Sequence, residues 1–240
     1  MKKCILTLVL CLWGAGALAE EVTLAVASNF LTTAQKVAAA FSAETGHEVV
    51  ISHGSTGQIF AQIDQGAPFD VFLAADAHRP AELIERRRAS ATKTYALGRL
   101  VVVSSLPITR DTASDVVQGK TVALADPTVA PYGLAATRAM EGLALDTATF
   151  RPVLMSNVGQ VGIVFTTRNA EIAFVSAAQV PLLAPEHVLE IDGLYGEITQ
   201  DAALLARAAG NPAAQAFWTW LSSDAARKLI EEAGYILPNQ

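Results

Sequence analysis

The chain has 240 residues, 52% hydrophobic and 17% charged, with a formal net charge of −6. That acidic balance excludes nucleic acid and anionic membrane as natural partners. It leaves small anions open, because local N–H groups outweigh distant, screened surface charge.

Residues 1–19 read as an export signal. Lys2 and Lys3 form a basic start, Ile5 to Trp13 an apolar core, and Ala17-Leu18-Ala19 a small-x-small cleavage site. The stretch is too short for a membrane span. Cys11 follows the bulky Leu10, which argues against a lipoprotein anchor. Cleavage removes two lysines, no acids and both cysteines, leaving 221 residues with 15 basic and 23 acidic side chains. Disulfides, thiolate metal sites and cysteine nucleophiles are then excluded. No later stretch reaches about 18 uninterrupted apolar residues, so the mature chain is expected to be soluble.

Val22–Ala27 is an apolar run of strand length that passes through Ser28-Asn29 into a helical pattern. Phe30, Leu31, Ala34, Val37, Ala38 and Phe41 recur at spacings of three and four, so Ser28 or Asn29 is the natural N-cap and Gly46 the stop. A helix that starts at the carboxyl end of a strand offers unpaired N–H groups and a positive dipole end, a ready anion site.

The device recurs. Glu48–Ser52 reads as a strand, His53-Gly54-Ser55-Thr56-Gly57 as a small, hydroxyl-rich loop, and Ile59, Phe60 and Ile63 as the next helical face. Gly66-Ala67-Pro68 ends it, and residues 69–76 read as a third strand. Pro80–Arg88 reads as a helix whose basic end, Arg86-Arg87-Arg88, is a solvated terminus favoured by the dipole. Leu97–Val103 is a strand whose Gly98 marks a crossover. Lys120–Ala125, the loop through Ala130-Pro131-Tyr132-Gly133 and a following helix make the third unit. Pro152–Ser156 and the helix from Asn157-Val158-Gly159-Gln160 make the fourth. Residues 170–175 and 196–205 read as extended. The tail reads as two helices, opened by Asn211-Pro212 and Ser223-Asp224, with Phe217, Trp218 and Trp220 as core packing.

Alternating strands and helices imply parallel α/β sheets. Ligands of such sheets bind at the carboxyl ends of strands, and two of the four junctions precede residue 97 while two follow it. Two α/β lobes with the ligand between them is the simple arrangement.

Residues for catalysis are missing. There is no G-x-S-x-G elbow, no Walker or dinucleotide glycine pattern, and His47, His53, His78 and His187 lack ligand spacing. Asp70 and Asp76 flank a strand as possible metal ligands, but capping or pairing with a base is favoured for want of a third ligand.

At its junctions the chain resembles the periplasmic molybdate-binding proteins of ABC transporters. The marks are residues 25–30, Gly54-Ser55-Thr56-Gly57, the run from Gly66 to Asp76, Ala130-Pro131-Tyr132-Gly133 and Asn157-Val158-Gly159-Gln160. The resemblance implies a two-lobed periplasmic-binding-protein fold of type II, with residues 20–97 and 199–240 in one lobe and 98–198 in the other. It implies an oxyanion, molybdate or tungstate, held in the interlobe cleft by Ser28, Asn29, Thr56, Tyr132 and Val158, the last two through N–H groups. Many members have serine where Thr56 stands. Some add a tyrosine hydroxyl where this chain has Ser176. Cofactors are not expected. The implied partners are a membrane permease and its ATPase, the location is the periplasm, and a monomer is expected.

The chemistry agrees with this. A dianion without a proton needs donors only, and hydroxyls with N–H groups supply them. Protonated phosphate brings a hydrogen that an all-donor pocket leaves unpaired, at roughly 1–3 kcal/mol. Sulfate has the same charge, so only size separates it. The rivals are a receptor for sulfate or another tetrahedral oxyanion, a secreted hydrolase using Ser55 or Ser28, and a sensor domain.

Overall fold

Arg99 is the single residue between two strands that belong to different sheets. The computed structural model describes residues 20–238, so the export signal read in residues 1–19 lies outside the described residues. Before the crossing come β1 (Glu21–Ala27), a 3₁₀ turn (Ser28–Phe30), α1 (Leu31–Thr45), β2 (Glu48–Gly54), α2 (Thr56–Asp64), β3 (Val71–Leu73), α3 (His78–Glu85) and β4 (Ala89–Gly98). After it come β5 (Leu100–Ser104), α4 (Ala113–Val116), β6 (Thr121–Ala125), α5 (Pro131–Gly142), β7 (Arg151–Met155), α6 (Val158–Thr166), β8 (Ile172–Ser176), α7 (Val180–Leu183) and β9 (His187–Glu190). The chain then returns with β10 (Ile198–Leu205), α8 (Pro212–Trp220) and α9 (Asp224–Glu232).

Two five-stranded sheets result, ordered β2-β1-β3-β10-β4 and β7-β6-β8-β5-β9. The sheets are mixed, which corrects the expectation of parallel sheets. Strands joined through helices are parallel, β1 with β2 and β3, β6 with β7 and β8. The strands that carry the chain between sheets run the other way: β10 is antiparallel to β3 and β4, and β5 to β8 and β9. A crossing chain enters the new sheet without a helical crossover to reverse it, so antiparallel pairing is its open choice.

The first sheet is covered on both faces. Val22, Leu24 and Val26 pack with Phe30, Val37, Phe41 and Phe217, while Ala25 and Phe72 pack with Ile59, Ile63 and Leu83. Phe41 meets Phe217 edge-on at 5.2 Å and Trp220 at 5.7 Å, so the tail aromatics are core. Each such buried side chain contributes about 1.5–3 kcal/mol. The second sheet shares one core with α5 and α6 through Val122, Leu124, Ala136, Val161 and Phe174.

Several expected boundaries move. The single strand over Leu97–Val103 is two strands in two sheets, broken at Gly98-Arg99. The third strand shrinks from residues 69–76 to Val71–Leu73. Arg86, Arg87 and Arg88 are exposed at the end of α3 as expected, and Arg86 also pairs with Asp64 at 2.7 Å and Glu82 at 2.5 Å and covers Phe60. Among the described residues no helix is long and apolar enough to cross a membrane.

Candidate oxyanion site

All four strand-to-helix junctions open onto one small cavity. It is lined by Ser28, Asn29, Ser55, Thr56, Tyr132, Asn157 and Val158, with Ala27, Gly54, Ala75, Ala130 and Pro131. The five residues expected from sequence are thus brought together, two from the first sheet's initial junction, one from its second, and two from the other sheet.

At the first junction neither Ser28 nor Asn29 caps α1, contrary to expectation. The 3₁₀ turn intervenes, Ala27 precedes it and Phe30 holds the cap position of α1, neither with a side-chain bond. Ser28 is thereby released from capping, and its Oγ accepts the Gly159 N–H at 3.3 Å from the opposite sheet's α6. Asn29 turns inward: its Nδ2 donates to Gln200 Oε1 at 3.0 Å and to the Tyr235 hydroxyl at 3.2 Å. The Tyr235 hydroxyl donates to the Asn29 carbonyl at 2.8 Å.

At the second junction Ser55 caps α2, its Oγ accepting the Gln58 N–H at 3.3 Å. Thr56 Oγ1 accepts the Ala75 N–H at 3.1 Å. A hydroxyl whose lone pair is taken by an N–H keeps its own proton to donate. Ser28, Ser55 and Thr56 are therefore all set as donors.

At the third junction Pro131 occupies the first helical position, where it gives up no needed hydrogen bond, so Tyr132 carries the first N–H of α5. Gly133 is obligatory here, since a Cβ would sit 2.3 Å from the Ala125 carbonyl oxygen. At the fourth, Asn157 Oδ1 caps α6 by accepting the Gln160 N–H at 3.0 Å, and Val158 carries that helix's first N–H. The lining contains no acid, histidine, lysine or arginine. Three helix N-termini and a 3₁₀ turn supply the positive potential. The arrangement is suited to a proton-free anion and offers no general base.

A wider cleft of about 450 Å³ adjoins the cavity, lined by Asp76, Arg79, Arg138 and Glu197 among others. Its charges are of both signs, and Arg79 is already bound to Asp76 at 2.5 Å. Asp70 accepts from the Thr23 N–H at 2.9 Å and from Asn211 Nδ2 at 3.2 Å, so both aspartates cap and pair as expected. Among the described residues no group of three or more His, Cys, Asp or Glu side chains is placed to hold a metal. Ser176, read as a substitute hydroxyl for the cleft, is fully buried instead and donates to the Tyr132 hydroxyl at 3.2 Å.

Sequence reasoning missed two polar lining residues, Ser55 and Asn157. Each had a signal, a Ser or Asn followed three residues on by Gln58 or Gln160, the spacing of a capping box. It also missed the buried layer beneath the cavity. There Gln200 Oε1 accepts from Asn29 and from the Tyr95 hydroxyl at 3.0 Å, and Gln200 Nε2 donates to the Tyr132 hydroxyl at 3.2 Å. Burial pushes the phenols of Tyr95, Tyr132 and Tyr235 upward, so all three stay neutral.

The chain's relatives have the same shape. The bacterial extracellular solute-binding protein family matches over residues 22–236. The molybdate-binding protein ModA of Rhodobacter capsulatus is 38% identical, covering 92% of this chain and 90% of its own length. ModA of Azotobacter vinelandii is also 38% identical, with 92% and 94% covered. The solved Azotobacter vinelandii periplasmic molybdate-binding protein superposes with a TM-score of 0.84 at 35% identity, over 91% of this chain and all of that one. The fold is the two-lobed type II fold of periplasmic binding proteins. The chain belongs to the bacterial extracellular solute-binding protein family, and it is a solute-binding protein, not an enzyme.

Proposed function

We propose that this protein captures molybdate, and tungstate as well, in the periplasm and delivers it to a membrane permease driven by an ATPase. The observation that carries this is the donor-only cavity at four converging junctions. Molybdate is a proton-free dianion near neutrality and matches a lining that offers hydroxyl and N–H donors and no charged acceptor. The relatives of similar length that are named as molybdate-binding support the same cargo.

In this reading the anion is held by the hydroxyls of Ser28 and Thr56 and by N–H groups of Asn29, Tyr132 and Val158. Asn29 contributes its backbone, because its side-chain amide is engaged beneath the cavity. Residues 20–97 and 199–240 form one lobe and 98–198 the other. Neither lobe alone supplies enough donors, so hinge closure completes the site. The protein acts as a monomer, exported by the signal read in residues 1–19.

The test is calorimetric titration of ligand-stripped mature protein with molybdate, repeated in excess sulfate and then phosphate. One-to-one binding that survives the excess is expected. Heat from sulfate but not from molybdate would reassign the cargo. Silence from both would end the oxyanion reading.

A further inference from the structure

Gln200 has no part in the cavity wall, yet it is the one side chain bonded to wall residues of both sheets among the described residues. It is fully buried. It sits on β10 at a register shift between Gln200 and Asp201, the kind of irregularity that re-aims a side chain. Its amide is used at both ends. Oε1 takes the Asn29 amide from the first sheet's junction, and Nε2 gives to the Tyr132 phenol from the second sheet's α5.

The backbone leaves room for this pair at the crossing point. A Cβ on Gly98 would lie 2.3 Å from the Tyr132 hydroxyl and 2.4 Å from Gln200 Nε2. The same Tyr132 hydroxyl also accepts from Ser176, whose hydroxyl is fixed in turn by a capping box with Gln179. Asn29 is fixed by Tyr235 from the chain's tail. The bridge is therefore anchored at both ends, in a buried core where satisfied polar networks hold one geometry.

From this we propose that Gln200 is a positioning residue that sets how far apart the two junctions stand when they meet, and so sets the size of tetrahedral oxyanion accepted. The inference rests on the oxyanion reading above. Asn29 and Tyr132 carry donors on opposite walls of the cavity, and the bridge between their side chains fixes the span between those donors. Charge cannot separate molybdate from sulfate, because both are proton-free dianions; span can. A fixed span suits one anion radius, and a loosened one suits several poorly.

The experiment measures molybdate and sulfate affinities by calorimetry on mature wild type, Gln200→Leu and Tyr132→Phe. Tyr132→Phe keeps the ring and the backbone N–H and removes only the hydroxyl end of the bridge, so it carries the test if Gln200→Leu does not fold. For both variants the ratio of molybdate to sulfate affinity is expected to fall by about tenfold, the scale of one hydrogen bond. The double variant is expected to show no more than either single one, because both remove the same bridge. If the ratio stays at the wild-type value, whether the two affinities are unchanged or fall together, the bridge is merely structural and the inference is overturned. A wild-type protein that binds neither anion removes the oxyanion reading itself, and this inference with it.

Discussion

The Gly159 N–H donates to the Ser28 hydroxyl across 3.3 Å, and the two residues come from different sheets. The bond occupies a lone pair of Ser28 and leaves its proton directed to the cavity. Ser28→Ala is expected to weaken molybdate binding by about ten- to hundredfold, the scale of a hydrogen bond to a charged group. Titration at fixed ionic strength checks this, and Ser28→Thr, which keeps the hydroxyl, should retain most of the affinity.

A second contact between the sheets is the Gly57 N–H to Val129 carbonyl bond at 2.9 Å. A Cβ on Gly57 would lie 2.9 Å from that same oxygen and 3.2 Å from Val129 Cα, both backbone atoms. Gly57→Ala is therefore expected to hold the lobes apart and weaken molybdate binding by about tenfold or more. Small-angle scattering should show a smaller ligand-induced compaction than in wild type.

Affinity should be flat with pH. The cavity wall has no acid, base or imidazole, and burial keeps the Tyr132 phenol neutral well beyond its ordinary range. Between about pH 6 and pH 9 the molybdate dissociation constant is expected to change by less than about twofold. A steady slope across that range would show a titrating group coupled to the anion.

Gly98 predicts a stability effect without a change of sheet. Gly98→Ala is expected to cost about 1–3 kcal/mol by overpacking against Tyr132 and Gln200. Urea denaturation measures the loss. Adding Tyr132→Phe, which removes the nearer of the two atoms, should recover part of it.

Lys93 gives a pH signature of its own. Its Nζ lies 4.4 Å from the Trp218 ring and 2.7 Å from Ser222 Oγ, and burial lowers its pKa to about 8. The folded value lies below the unfolded one, so between about pH 8 and 10.5 the unfolded chain binds more protons. Stability contributed by this group therefore rises with pH through that window. Wild type is expected to gain on Lys93→Met as pH is raised across it, read from urea midpoints.

The four junctions were legible because each combines an apolar strand, a small polar loop and a helical period, all local signals. The two strands that escaped, β4 and β9, are both sheet edges. Residues 89–94 of β4 alternate small and polar side chains, and β9 buries only Leu189, so neither has the apolar run that marks a covered strand. Gln200 was invisible for a different reason. Its partners Asn29, Tyr132 and Tyr95 lie 171, 68 and 105 residues away, and no periodicity encodes such a meeting. The inward turn of the Asn29 side chain follows from the same partners, so it was not readable either.

The order of strands also governs when the cavity comes into being. β5 to β9 lie in one uninterrupted stretch, and the second sheet can assemble from it alone. The first sheet cannot: β10, which separates β3 from β4, arrives only at Ile198–Leu205, and Tyr235 follows later still to brace Asn29. The second sheet's strands are thus all present by Glu190, while the first still lacks its fourth-placed strand and the brace on Asn29. Every residue that lines the cavity lies at or before Val158, yet the sheet that carries half of its junctions closes only with residues that come at least 40 positions later.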